Sequence, residues 1–146
     1  MGNKAMRREW ERNLAAYQIA AALADADASF GPFAKENLAF DVSKQELQQA
    51  YGSIDRATVD PEGRASWERV WSRMGEAEET RYRQVLTPMW QAAIRLAETP
   101  APDLAAALTK IEIIKHEELD NDTSTTRDPF ELVAEDMARI SGEIGQ

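Results

Sequence analysis

The apolar residues of this chain recur at intervals of three or four positions, the spacing of one face of an α-helix. In the first segment, about residues 4–28, this face carries Met6, Trp10, Leu14, Tyr17, Ala21, Ala24 and Ala28. Strict alternation of apolar and polar residues, which is typical of half-buried strands, is missing from the chain. The pattern therefore predicts an all-α protein.

Glycine and proline residues divide this helical pattern into segments. The pair Gly31-Pro32 is predicted to end the first helix, because proline cannot continue a helix and glycine suits its C-terminal turn. The following stretch, to about residue 41, is expected to be irregular or a short helix. Ser43 and Glu46 have the spacing of a capping box, so the second helix is predicted to begin at Ser43.

The third helical segment, about residues 61–98, is the longest in the chain. A straight helix of this length would exceed about 50 Å, which is too long for a compact protein of this size. We therefore expect a bend near Gly75, at Pro88, or at both. Its first half carries an apolar stripe that includes Trp67 and Trp71, and the spacing of the tryptophans is that of core residues.

Two further helices complete the pattern. The fourth, about residues 103–119, is predicted to bury Leu104, Ala107, Leu108, Ile111 and Ile114. The fifth begins with Asp128-Pro129, an N-cap followed by proline at the first helical position. The chain is therefore predicted to form a single domain over residues 1–146, a helical bundle of about five helices, one long and bent.

The charge of the chain limits its partners. It has 26 acidic and 17 basic residues, a net charge of −9, and residues 110–146 alone carry ten acidic and four basic residues. Nucleic-acid binders need clustered lysine and arginine, so no nucleic acid is expected. No run of 18 apolar residues is present, so no membrane association is expected, and the lack of a signal-peptide pattern predicts a cytoplasmic location.

Catalytic and metal-binding motifs are weak. The chain has no cysteine and one histidine, His116, with Glu112 four positions earlier on the same helix. One such pair falls short of the four or more ligands of a metal site in a helical bundle. Residues 120–131 have the carboxylate spacing of a calcium-binding loop, but Thr125 stands where that loop needs glycine. We therefore predict no catalytic residue, no metal, no cofactor and no enzyme activity.

A resemblance adds to this interpretation. The runs LAETPAPDL at 96–104, KIE at 110–112 and DPFEL at 128–132 resemble a pattern in small, uncharacterised α-helical bacterial proteins, some of them associated with prophages. The similarity covers roughly the C-terminal third, with a looser match around Trp10. It implies a helical fold and no particular activity, because the motif carries no catalytic residue.

The hypothesis that remains is a non-enzymatic protein that acts by protein–protein interaction, with another protein or with itself. Ile113 projects away from the predicted inner face of the fourth helix, so it is either an interface anchor or part of a second core layer. The predicted interaction surface comprises Ile113, His116, Glu117, Asp120 and Asp122. One alternative is an acidic decoy that occupies a nucleic-acid-binding surface, and another is a small metal-binding protein or enzyme that uses Glu112 and His116.

Overall fold

The computed structural model describes residues 2–121 and 127–144, and within these ranges nearly every residue is helical and no strand is present. The predicted all-α, helical-bundle class is therefore confirmed. Of the calcium-loop spacing over residues 120–131, residues 122–126 lie outside the described residues.

Seven α-helices and two short irregular turns make up the described chain. In order they are α1 (Asn3–Phe30), α2 (Pro32–Tyr51), α3 (Ile54–Val59), α4 (Pro61–Arg81), a π-helical turn (Tyr82–Leu86), α5 (Thr87–Ala97), α6 (Leu104–His116), a 3₁₀ turn (Leu119–Asn121) and α7 (Pro129–Ile144).

Two of the predicted helix starts are confirmed by their caps. The Asp103 carboxylate accepts a hydrogen bond of 2.9 Å from the Ala106 backbone N–H at the start of α6. The Asp128 carboxylate accepts one of 3.0 Å from the Phe130 N–H at the start of α7. Such side chains satisfy backbone donors that the first helical turn leaves without a partner.

The predicted start of the second helix at Ser43 is wrong. Helix α2 begins at Pro32, and Ser43 lies in its middle. Gly31 has the extended conformation of an N-cap residue, with φ −78° and ψ 173°, and Pro32 occupies the first helical turn. Proline is tolerated there because its missing N–H would have no partner within the helix, so Gly31-Pro32 ends one helix and starts the next.

The long third segment departs from regular geometry at only one of the two predicted places. Gly75 lies inside α4, whereas the π-helical turn Tyr82–Leu86 directly precedes Pro88. At the end of this turn the Thr87 N–H bonds to the Tyr82 carbonyl, five residues back. A wider turn accommodates the proline, which cannot donate a backbone hydrogen bond and crowds the preceding turn.

The chain forms two compact units, one of residues 1–21 and 88–146 and the other of residues 22–87. Helix α1 contributes its first part to the former unit and its last part to the latter. The assignment of the whole chain to a single domain stays a prediction.

The unit of residues 1–21 and 88–146 has a well-buried core. Its larger apolar members are Trp10, Tyr17, Met89, Leu96, Ile113, Ile114, Leu119, Val133 and Ile140. Two buried polar side chains of this core are paired: the Asn13 amide donates a hydrogen bond of 2.8 Å to the Thr99 hydroxyl, which donates to the Arg95 carbonyl at 2.7 Å. Pairing of this kind avoids the cost of burying an unsatisfied polar group.

A buried ion pair joins α6 to α7 in this unit. The Lys110 ammonium lies 2.6 Å from one Asp136 carboxylate oxygen, and the other oxygen accepts from the Ala101 N–H at 3.2 Å and from Arg139 at 3.1 Å. Burial lowers the pKa of Lys110 from its ordinary value, opposed by the hydrogen bond to Asp136. The Lys110 ammonium also lies 5.8 Å from the centre of the Trp10 ring.

The buried face of α6 differs from the predicted one. It comprises Ala106, Ala107, Lys110, Ile113 and Ile114, whereas the predicted core residues Leu104 and Leu108 are 45% and 52% exposed. Both faces have helical spacing, so hydropathy alone did not distinguish them. The face of α6 that packs in the core contains two alanines, which allow close approach, and Lys110, which pairs with Asp136.

The unit of residues 22–87 buries fewer side chains. Its buried residues are Ala24, Leu47, Ala57 and Gly63, and α2, α3 and α4 pack against one another. Arg81 extends from the end of α4, where its Nε donates a hydrogen bond of 2.8 Å to the Asp27 carboxylate and its guanidinium lies 5.4 Å from the Phe33 ring centre.

Candidate interaction surface

The residues of the predicted interaction surface have different surroundings. Ile113 is only 9% exposed and belongs to the core, which was the alternative for this residue. The His116 side chain at the end of α6 is 80% exposed, and its Nε2 lies 3.7 Å from a Glu117 carboxylate oxygen. The Glu117 side chain is 9% exposed and accepts a hydrogen bond of 2.7 Å from the Tyr17 hydroxyl.

The remaining members of that predicted surface add no apolar anchor. Asp120 is exposed in the 3₁₀ turn, and Asp122 lies outside the described residues. His116 contacts Glu117 rather than Glu112, and in residues 2–121 and 127–144 no three His, Cys, Asp or Glu side chains are grouped to hold a metal ion. The described members of the predicted surface therefore present no exposed apolar side chain.

A cluster of three aromatic rings provides such an anchor in the unit of residues 22–87. Trp67 and Trp71 are four positions apart on α4 and therefore lie on the same face of the helix. Both pack against Phe40 of α2, with ring centres 5.0 Å and 5.7 Å away, and the two indoles lie 6.0 Å from each other. Tilted contacts at these distances are favourable between aromatic rings.

Trp71 is the member of this cluster that faces solvent. Its side chain remains 56% exposed, although the ring is held by Phe40 and Trp67. An open pocket of about 550 Å³ adjoins the two indoles and is lined by Trp67, Glu68, Trp71 and Ser72. A large aromatic side chain that packs against two other rings is thus presented to solvent, beside space that another molecule could fill.

Gly75 extends this surface by one helical turn. It follows Trp71 by four positions, and a Cβ atom added to it would meet no other atom within 4 Å. Glycine in the interior of a helix costs about 0.5–1 kcal/mol relative to alanine. The packing of the described residues does not require a glycine here, and the helix face beside Trp71 is open at this position.

The rim of this surface is polar and mainly acidic. Glu68 precedes Trp71 by three positions and Glu78 follows it by seven, so both share its face of the helix, and both are exposed. Within the described part of the chain Glu68 forms no ion pair. Arg64 lies at the N-terminal end of the same face, where its Nε donates a hydrogen bond of 2.8 Å to the Thr58 carbonyl. We call Trp67, Glu68, Trp71, Ser72 and Gly75 the Trp71 surface.

Sequence reasoning missed this surface because it assigned all four tryptophans to core positions. Trp10 is buried and Trp67 is half-buried, in agreement with that spacing, but Trp71 lies at the edge of the stripe. Spacing alone cannot distinguish the centre of an apolar stripe from its edge. The available signal was Gly75, a glycine one turn after a tryptophan inside a strong helical pattern.

Comparison with known proteins finds no family model, no curated protein and no solved structure that matches the chain. Its function is therefore inferred from the chemistry of its own surface. Among the described helices, none combines the length and the apolar character that crossing a membrane requires.

Proposed function

We propose that this chain is a non-enzymatic protein-binding module, and that contact with its protein partner centres on the Trp71 surface. The observation that carries this proposal is the half-exposed Trp71 ring, held in place by Phe40 and Trp67. Tryptophan is enriched among the few residues that supply most of the binding energy of protein interfaces. A fixed aromatic anchor also loses little conformational entropy when a partner covers it.

The surroundings of Trp71 also favour a protein partner. An apolar centre with a polar rim is the usual composition of a protein interface, and Glu68, Ser72 and Glu78 form such a rim. Gly75 lets a partner approach the helix backbone closely, since no side chain covers it. The cytoplasmic location and the prophage association stay predictions.

The two alternative functions have less support. A metal centre on Glu112 and His116 would need further ligands, and among the described residues no three His, Cys, Asp or Glu side chains are grouped so that they could hold a metal ion. An acidic decoy would need carboxylates spaced like phosphates, whereas the exposed Glu68 and Glu78 flank an aromatic ring. Neither alternative explains why Trp71 is exposed.

Capture of partners from a lysate of the source organism tests this proposal. The immobilised wild-type chain is compared with Trp71→Ala and with Leu108→Ala, which removes an equally exposed apolar side chain from α6. We expect at least one protein whose capture falls about tenfold or more in Trp71→Ala and is unchanged in Leu108→Ala. Equal capture by all three chains would overturn the proposal.

A further inference from the structure

We infer that the partner segment that docks on the Trp71 surface is basic and places an arginine side chain against the indole rings, beside the Glu68 carboxylate. This inference rests on the proposed function and specifies the chemistry of the partner. Three observations carry it: the aromatic and acidic composition of the surface, the way this chain pairs its own cations, and the charge of the unit around Trp71.

The first observation is the composition of the pocket. It is lined by two indoles, one carboxylate and one hydroxyl. The electron-rich face of tryptophan attracts cations more strongly than the face of any other side chain, and arginine can stack on it with its planar guanidinium. Glu68 supplies an acceptor for the N–H groups of that guanidinium, because a carboxylate and a guanidinium match in geometry.

The second observation is that this chain twice places a cation between an aromatic ring and a carboxylate. Arg81 lies 5.4 Å from the Phe33 ring centre and donates to Asp27 at 2.8 Å. Lys110 lies 5.8 Å from the Trp10 ring centre and 2.6 Å from Asp136.

The Trp71 surface has the same aromatic and acidic groups, but over the described ranges no cation of the chain lies over either of its indoles. Glu68 likewise has no ion-pair partner there. The partner can therefore supply the missing cation.

The third observation is electrostatic. Residues 22–87 carry twelve acidic and eight basic side chains, a net charge of −4, and the whole chain carries −9. On α4 the exposed Glu78 and Glu79 are balanced by the exposed Arg69 and Arg73, so the negative charge is that of the unit as a whole. This charge attracts a basic segment and accelerates its association, whereas an acidic segment would be repelled.

The geometry favours an arginine carried on a peptide over a small free cation. The three rings contact one another, with centres 5.0–6.0 Å apart, and so leave no gap that could enclose an ammonium group as an aromatic cage does. The pocket lies open along α4, where a peptide can run past Trp71 towards the bare helix face at Gly75.

The test is a titration of the full chain with a 12-residue peptide of glycine, serine and leucine that contains two arginines. It is followed by the NMR signals of the four indole N–H groups. The control peptide carries citrulline in place of arginine, which keeps the shape and removes the charge. We expect saturable shifts of the Trp67 and Trp71 signals, none for the buried Trp10, and about tenfold weaker binding of the citrulline peptide.

The matched variants are Glu68→Gln and, as a control, Glu112→Gln, both at exposed helix positions without a described role in the fold. We expect Glu68→Gln to weaken binding of the arginine peptide several-fold and Glu112→Gln to leave that binding unchanged. Equal affinity for the two peptides, or no effect of Glu68→Gln, would overturn the inference. If capture of a partner still depended on Trp71 in that case, the proposed function would stand and only the basic partner would be wrong.

Discussion

Lys110 and Asp136, which are 26 positions apart in the sequence, form an ion pair of 2.6 Å whose side chains are only 2% and 4% exposed. The pair connects α6 to α7, and the Asp136 carboxylate also accepts a hydrogen bond from the backbone N–H of Ala101. Two charges that have lost their water are stable only while they remain paired and hydrogen-bonded. The packing of these two helices therefore depends on both partners being present.

We expect Asp136→Asn to lower the free energy of unfolding by about 3–5 kcal/mol, because it leaves the Lys110 ammonium buried without its counterpart. Lys110→Met should cost less, because Asp136 keeps its ion pair with Arg139 at 3.1 Å. The double variant should cost less than the sum of the two, since neither Lys110 nor Asp136 is then left charged without the other. Urea unfolding of the four proteins measures this coupling. Single variants that each cost under about 1 kcal/mol would show that the pair is not buried in solution.

The helical class and several helix starts could be predicted from the sequence, because spacing, aspartate caps and proline act locally. The buried face of α6 could not. Its residues include Lys110, which hydropathy places outside, and its partner Asp136 belongs to another helix. A tertiary ion pair leaves no signal in the local pattern, so the pattern predicts a core position for Leu108 and leaves Ile113 open between the core and an interface.

The two faces of α6 can be compared directly with a pair of matched variants. Ile113 is 9% exposed, so Ile113→Asp should destabilise the fold by several kcal/mol, since it buries an unpaired charge. Leu108 is 52% exposed, so Leu108→Asp should change stability by no more than about 0.5 kcal/mol. Thermal unfolding followed by circular dichroism distinguishes them. If Leu108→Asp lost more stability than Ile113→Asp, the buried face of α6 would be the one predicted from the sequence.

The Asp103 carboxyl should make the stability of the chain depend on pH in the acidic range. The Ala106 N–H, and next the Arg7 side chain, hold the pKa of its carboxyl below the ordinary value of 3.8. A lowered native pKa stabilises the fold at neutral pH, and this contribution is lost as the pH falls through 3.8 towards the native value.

At pH 7 we therefore expect Asp103→Ala to cost about 1 kcal/mol, as is typical for a lost N-cap. Asp103→Asn should cost less, because asparagine also caps helices. Urea unfolding at pH 7 and at about pH 3 measures the free energy of unfolding of both proteins. The difference between wild type and Asp103→Ala should be smaller at the lower pH. A gap that widens there would contradict the role of the carboxylate.

Gly63 and Gly75 both lie in α4, and alanine at the two positions should have opposite effects. A Cβ atom at Gly63 would collide with the carbonyl oxygen of the buried Ala57, so Gly63→Ala should destabilise by about 1–3 kcal/mol. A Cβ atom at Gly75 meets nothing, so Gly75→Ala should stabilise by about 0.5–1 kcal/mol. Denaturant unfolding measures both changes in stability, from the shift of the midpoint when the slope of the transition is unchanged. A loss of stability in Gly75→Ala would show that the fold requires this glycine.

The most direct test of partner binding through the Trp71 surface separates binding from stability by means of Gly75→Gln. Glutamine is a good helix former, and from position 75 its side chain leans back over Trp71, because helical side chains point towards the N-terminus. We expect the variant to melt no lower than the wild type and yet to lose about tenfold or more of the partner capture that depends on Trp71. A variant that is equally stable and captures the same partner to the same extent would contradict the proposed function.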